Sequence, residues 1–224
     1  MARIARLVVP GLPHQVTQRG VRSMDVFDGE ADFDLYVRLM REQGERFGVK
    51  FLAWCLMSNH VHLVCVPERE GSLAHGVGEA HKRYTRAKNS REGVRGHLFQ
   101  ERFASCVLDE AHLLAAVRYV ELNPVAAGIV DTPAAYQWSS ARFHLDRRVR
   151  RDPLVEDRTL LGLVHDWTTF LQDGIDEMEA RRMERHLWTG RPLGSEEFVR
   201  GLEERTRRRL RPLKRGWRKG RRRE

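Results

Sequence analysis

His60-Val61-His62 is the pattern in this 224-residue sequence with the clearest capacity for chemistry. In an extended strand, side chains two residues apart point to the same face. Both imidazoles would therefore project together while Val61 turns the other way, toward a core. Neutral imidazole is a common ligand of divalent metals, and such a pair can give two coordination positions to a cation that also touches substrate oxygens. The alternative is a pair of partly exposed surface histidines, because a bare His-x-His often arises by chance.

Tyr119 is the second candidate. It lies in a run beginning at Asp109, where Leu113, Ala116, Val117 and Val120 form one apolar stripe at helical spacing. Tyr119 stands off that stripe, on a face shared with His112, Ala115 and Asn123. A tyrosine can act as a covalent nucleophile, but with a phenol pKa of about 10 it needs a nearby cation or base. A metal held by His60 and His62 could polarise a phosphodiester, and Asn123, one turn beyond Tyr119, could complete the ligand set through its carbonyl oxygen. The other reading of Tyr119 is an amphipathic residue at the rim of the core. A rival, Tyr84, sits in the basic stretch His81-Lys82-Arg83-Tyr84-Thr85-Arg86. There Lys82, Arg83 and Tyr84 could lie along DNA as phosphate or stacking contacts, or Tyr84 could be an ordinary helix-face tyrosine.

The elements that must position these residues follow from periodicity. Residues 13–20 read as a short strand closed by Gly20, and apolar positions from Asp32 to Phe47 recur at helical spacing up to Gly48. Val49–Leu56 and His60–Val66 are apolar, β-branched and aromatic runs separated by Ser58-Asn59, which predicts a hairpin. A second helix is predicted over Ser72–Lys88, a polar loop over Asn89–Gly96 and a strand over Leu98–Leu108. Asp109 is placed to cap a helix over Glu110–Leu122, which Asn123-Pro124 is expected to stop. This order predicts an α+β domain of the ferredoxin-like split βαβ type with an antiparallel sheet, over residues 1–150. Beyond Asp152-Pro153, helical segments are expected around Leu160–Leu171, Ile175–Leu187 and Ser195–Arg209, as an accessory segment over 151–200 and a basic tail over 201–224.

Composition narrows the function classes. Apolar residues make up 41% and charged residues 32%, which fits a soluble globular protein with room for one full core. No apolar run reaches the roughly 18–20 residues of a membrane span and no secretory leader is evident, so the expected location is the cytoplasm. Cys55, Cys65 and Cys106 suggest neither a disulfide framework nor a four-cysteine metal site. The net charge of +9 lies wholly in the last 24 residues, where twelve basic residues face three acidic ones; the other 200 residues are balanced. Such a tail, including Arg208, Arg211 and Arg215, is expected either to contact nucleic-acid phosphates or to remain a solvated run, with the first favoured.

Taken together, the motifs carry a resemblance. Met57-Ser58-Asn59-His60-Val61-His62-Leu63-Val64 resembles the HUH motif of single-tyrosine transposases, and Tyr119-Val120-Glu121-Leu122-Asn123-Pro124-Val125 resembles the nucleophile segment of their REP-associated branch. Val16-Thr17-Gln18-Arg19-Gly20, His97-Leu98-Phe99-Gln100-Glu101-Arg102-Phe103 and Trp138-Ser139-Ser140 match in the same order, so the likeness spans roughly residues 1–145. It implies that His60, His62 and Asn123 hold Mg²⁺ or Mn²⁺ and that Tyr119 is the nucleophile. The implied reaction is cleavage and rejoining of single-stranded or hairpin DNA at REP-type palindromes through a 5′-phosphotyrosine. Arg19 and Arg102 join the expected DNA contacts. Two alternatives remain at this point: a domesticated DNA-binding protein or regulator of the same fold without turnover, and a phosphoesterase using water. The sequence leaves monomer or homodimer open.

Overall fold

Strand alternation decides which side chains each face of the sheet receives, and here it separates the core from the candidate chemistry. The computed structural model describes residues 4–212. Its first six strands and α-helices are β1 (His14–Arg19), α1 (Glu30–Phe47), β2 (Val49–Met57), β3 (His60–Pro67), α2 (Ser72–Glu92) and β4 (Ala104–Val107). The strands pair antiparallel in the order β2-β3-β1-β4, giving the expected ferredoxin-like α+β sheet. On β3, Val61, Leu63 and Cys65 enter the core beneath α1 and α2, while Val64 and Val66 join the core on the other face. His60 and His62 share the phase of Val64 and Val66. On β2 the register shifts between Phe51 and Ala53, so Leu52 and Ala53 both face the second core before alternation resumes at Trp54.

Gly48 ends α1 in the left-handed conformation at φ +67°, the backbone state in which glycine has no Cβ penalty. α2 continues past the expected Lys88 to Glu92. The polar residues there read as a loop but make ion pairs: buried Lys88 contacts Asp28, Asp32 and Glu92 at 2.5, 3.2 and 2.9 Å, and Arg91 reaches Asp32 at 2.6 Å. The expected strand over Leu98–Leu108 is ordered strand only at Ala104–Val107. Leu98–Phe103 instead forms a loop tied to β1, because the Gln18 side-chain amide donates to the carbonyls of Gln100 and Glu101.

The opposite face of the sheet is covered by α3 (Glu110–Ala126), whose Leu113, Ala116, Val117 and Val120 are buried as the stripe predicted. Asp109 caps it by accepting from the His112 amide at 2.9 Å. The expected stop at Asn123-Pro124 is overturned, since the helix runs through Pro124 to Ala126. One missing N–H within the last turn removes a single ladder bond, which the buried ring and short remaining helix tolerate. Asn123 therefore stays helical, one turn beyond Tyr119.

Glu121 anchors this helix. It is fully buried, with Oε1 accepting from Ser140 Oγ at 2.7 Å and His144 Nδ1 at 2.5 Å, and Oε2 from Trp167 Nε1 at 2.8 Å. Ser140 also accepts from the Trp54 amide at 3.0 Å, and Leu56 donates to the Trp138 carbonyl, so Trp138-Ser139-Ser140 covers the open edge of β2.

The remaining helices are α4 (Ala141–Leu145), α5 (Trp167–Gln172), α6 (Glu177–Thr189) and α7 (Glu196–Thr206), with a 3₁₀ turn at Thr159–Gly162 where a longer helix was expected. Trp167, Phe170, Leu171, Met183, Leu187 and Leu193 share one core with Leu52, Cys55, Val64 and α3. The segment read from sequence as an accessory is therefore part of the main core. The first residues of the expected tail also fold: Leu202 and Leu210 pack with Leu7, Val9 and Val107.

Replacing Glu121 strands three buried donors, so Glu121→Ala should cost about 3 kcal/mol or more in urea unfolding. Two buried histidines away from this network set a pH dependence: burial pushes His14 down to about 4 and His81, whose Nε2 meets the Tyr36 hydroxyl, down to about 3. The unfolded chain then binds more protons than the folded one below about 6.5, so stability measured by denaturant titration should fall as pH drops from about 6.5 toward 4.

Candidate active site

Cross-strand register assembles the site. On β1, Arg19 lies opposite His60 and Thr17 opposite His62, so a guanidinium and two imidazoles meet on the face that carries α3. Gly20 follows Arg19, and a Cβ there would fall 2.2 Å from the Met24 carbonyl oxygen, which explains glycine at this turn. The His60 and His62 rings are 4.8 Å apart between centroids, and the Tyr119 ring meets His62 edge-on at 5.4 Å. These groups line a cleft of 340 Å³ together with Gln18, Gln100, Glu101 and Arg102 from the β1 end and the loop it holds.

The imidazoles are neutral at ordinary pH. Burial and then the Arg19 cation push His60 down to about 4, with Asn123 partly opposing. Burial, His60 and Arg19 hold His62 well below its usual value. His60 Nδ1 meets the Asn59 side-chain oxygen at 2.5 Å, an outer contact of the kind that fixes ring orientation in metal-binding histidines. His62 Nδ1 is buried with no hydrogen-bond partner. Two neutral imidazoles beside the Asn123 carboxamide fit a divalent cation by donor chemistry. Among the described residues, no group of three or more His, Cys, Asp or Glu is arranged to hold one.

Tyr119 is half-buried, and its phenol is raised by burial and by Glu184, while Asn123 and Arg19 act in the other direction. Its hydroxyl lies 3.4 Å from Glu184 Oε1. Glu184, Leu187 and Trp188 all reach the cleft from α6. Sequence reasoning gave this segment only an accessory role, because its amphipathic pattern marks a packed helix and nothing in it indicates where that helix docks.

His60, His62, Tyr119, Arg19 and Arg102 thus come together as expected, with Asn123 beside them. The other expected DNA contacts do not share the cleft. Tyr84 is fully buried and its hydroxyl donates to the Val26 carbonyl at 2.5 Å, so it is a core residue and neither a stacking contact nor a rival nucleophile. The basic stretch His81–Arg86 around it made a DNA contact plausible, but the ring falls on the inward side. Lys82 and Arg83 lie on α2, across the sheet from the cleft, paired with Glu79 and Glu42. Arg208 donates to the carbonyls of Arg6 and Ala5, tying its segment to the N-terminal one, and Arg211 pairs locally with Glu203 at 2.7 Å. Arg215 lies outside the described residues.

A histidine pair on an inner strand of the ferredoxin-like sheet thus faces a helical tyrosine across the cleft. Residues 14–123, from the first strand through Asn123, match the family described as IS200-like transposases. Among solved structures, a REP-associated tyrosine transposase bound to a REP hairpin is similar with a TM-score of 0.53 and 15% identity, over 70% of this chain and 93% of that one. A candidate transposase from Deinococcus radiodurans R1 aligns at 19% identity and a TM-score of 0.36, over 55% of this chain and 97% of that one. No curated relative matches the chain. Among the described residues, no helix is long and apolar enough to cross a membrane.

Because a carboxylate beside a phenol disfavours the phenolate, Glu184→Gln should move the Tyr119 titration toward its ordinary value. Ring-carbon NMR of labelled tyrosine would show that downward shift, and an unmoved Tyr119 would mean Glu184 does not face the hydroxyl in solution.

Proposed function

We propose that the chain cuts and rejoins single-stranded or hairpin DNA at REP-type palindromes through a 5′-phosphotyrosine on Tyr119. The observation that carries this reading is the convergence of Tyr119 with His62 and His60, at 5.4 and 4.8 Å between successive rings, in an Arg19-lined cleft. The family match supports the coarser role of a transposase, and the hairpin bound by the similar structure supports the substrate class.

Tyr119 Oη attacks the scissile phosphorus, a P–O bond to tyrosine forms, and the bond to the 3′ oxygen breaks to leave a free 3′-hydroxyl. Glu184, 3.4 Å from the hydroxyl, takes the phenol proton, and the departing 3′ oxygen is protonated by solvent. Arg19, opposite His60, holds the phosphate by charge-assisted hydrogen bonds. Mg²⁺ or Mn²⁺ held by His60, His62 and Asn123 would supply charge neutralisation at that phosphate. His60 and His62, kept unprotonated by burial, present their lone pairs for this purpose without competition from protons near neutral pH. A 3′-hydroxyl attacking the phosphotyrosine runs the same step backwards and rejoins a strand.

The test is a labelled single-stranded oligonucleotide carrying a palindrome, incubated with Mn²⁺ or EDTA and resolved under denaturing conditions. A protein–DNA adduct should form with Mn²⁺, vanish with EDTA, His62→Ala or Tyr119→Phe, and survive Tyr84→Phe. Metal-dependent cleavage that persists in Tyr119→Phe would make water the nucleophile, and salt-sensitive binding with neither adduct nor cleavage would make the chain a binding protein.

A further inference from the structure

Trp188 is an indole left 63% exposed on the rim of the cleft. Large aromatic side chains normally bury most of their surface, and one exposed in the lining of a charged cleft is placed to meet whatever enters it. Among the described residues, no aromatic ring or cation stacks on it. The rest of its helix is fixed: Asp176 caps the start of α6, Gly190 ends it in the left-handed conformation, and Met183 and Leu187 are buried in the core shared with α3. Glu184, one turn before Trp188, contacts the Tyr119 hydroxyl. The exposed indole is therefore held at a set position relative to the nucleophile.

We propose that Trp188 is the platform on which an unpaired base next to the scissile phosphate stacks, so that α6 selects single-stranded over duplex DNA. This rests on the DNA-cleaving reading above. The cleft offers both halves of a nucleotide's chemistry. Arg19 supplies cationic charge for the phosphate, and Trp188, lining the same cleft from α6, supplies an apolar face of nucleobase size. Aromatic platforms combined with a cationic groove bind single strands with little sequence preference, because every base has a stackable face. A base inside a duplex has both faces covered by its neighbours and cannot use the platform without being unstacked, a cost that falls on duplex DNA alone. The selectivity thus arises from a residue outside the region that matches the transposase family, which ends at residue 123.

The test uses the full chain with Tyr119→Phe to prevent covalent capture. Its probe is a single-stranded oligonucleotide in which 2-aminopurine replaces successive bases. At one position the emission should be quenched on binding. Trp188→Ala should abolish that quench and weaken single-strand binding about ten-fold, in line with the stacking of one base. Trp188→Phe should restore most of both, while Met178→Ala, exposed on the same helix, should match the parent and duplex affinity should not change with Trp188→Ala. Unchanged single-strand affinity with an intact quench in Trp188→Ala would overturn the proposal. Tighter binding would also overturn it, by showing that the indole obstructs the cleft. With Tyr119 intact, an adduct that still forms while Trp188 proves irrelevant would leave the cleavage reading standing and this one refuted. A Trp188-dependent quench without any adduct would do the reverse.

Discussion

One buried carboxyl group, that of Glu121, holds α3 in place. Glu121 lies between Tyr119 and Asn123 in sequence but about 200° round the helix from Tyr119, so anchoring one side aims the other at the histidines. Its two oxygens are shared among Ser140, His144 and Trp167. A buried carboxyl group is costly unless its acceptor capacity is filled, and here the donors come from two separate parts of the chain, α4 with its N-cap and α5. The helix cannot slide or rotate without stranding at least one of them. Precise placement of a tyrosine against two imidazoles thus depends on a polar contact on the far side of the helix.

The first half of the fold was legible because its signals are local. The same-face spacing of His60 and His62, the Ser58-Asn59 break and the stripe from Leu113 to Val120 each state a period or a boundary, and the structure is the antiparallel α+β sheet they implied. Where the sequence misled, a tertiary contact had overridden a local rule. Arg91 and Glu92 read as loop but find ion-pair partners, and Leu98–Phe103 reads as strand but is held as a loop by the Gln18 amide. Pro124 signals a stop that a buried last turn absorbs.

The candidate site divides along the same line. His60, His62, Tyr119 and Asn123 were readable as spacings within single elements, with a family resemblance to join them. Tyr84 was misjudged because a basic stretch says which residues are charged and not which side of the helix faces inward. Glu184 and Trp188 were invisible for a different reason: their part in the cleft exists only because α6 docks beside β4 and β1, and no periodicity reports the docking partner of an amphipathic helix.

The docking of α6 also orders events in time. Ile4 donates to the carbonyl of Thr189 at 2.9 Å, and Arg208 reaches back to the carbonyls of Ala5 and Arg6, so the two ends of the described chain are tied together across the same side of the sheet. Contacts between such distant residues form late, after loop closure has brought together segments about 200 residues apart. A chain still emerging from the ribosome could pair its four strands and present its histidines and tyrosine well before Glu184 and Trp188 arrived. Completion of the cleft therefore waits on α6, and a product truncated before that helix would carry Tyr119 without the wall that α6 provides.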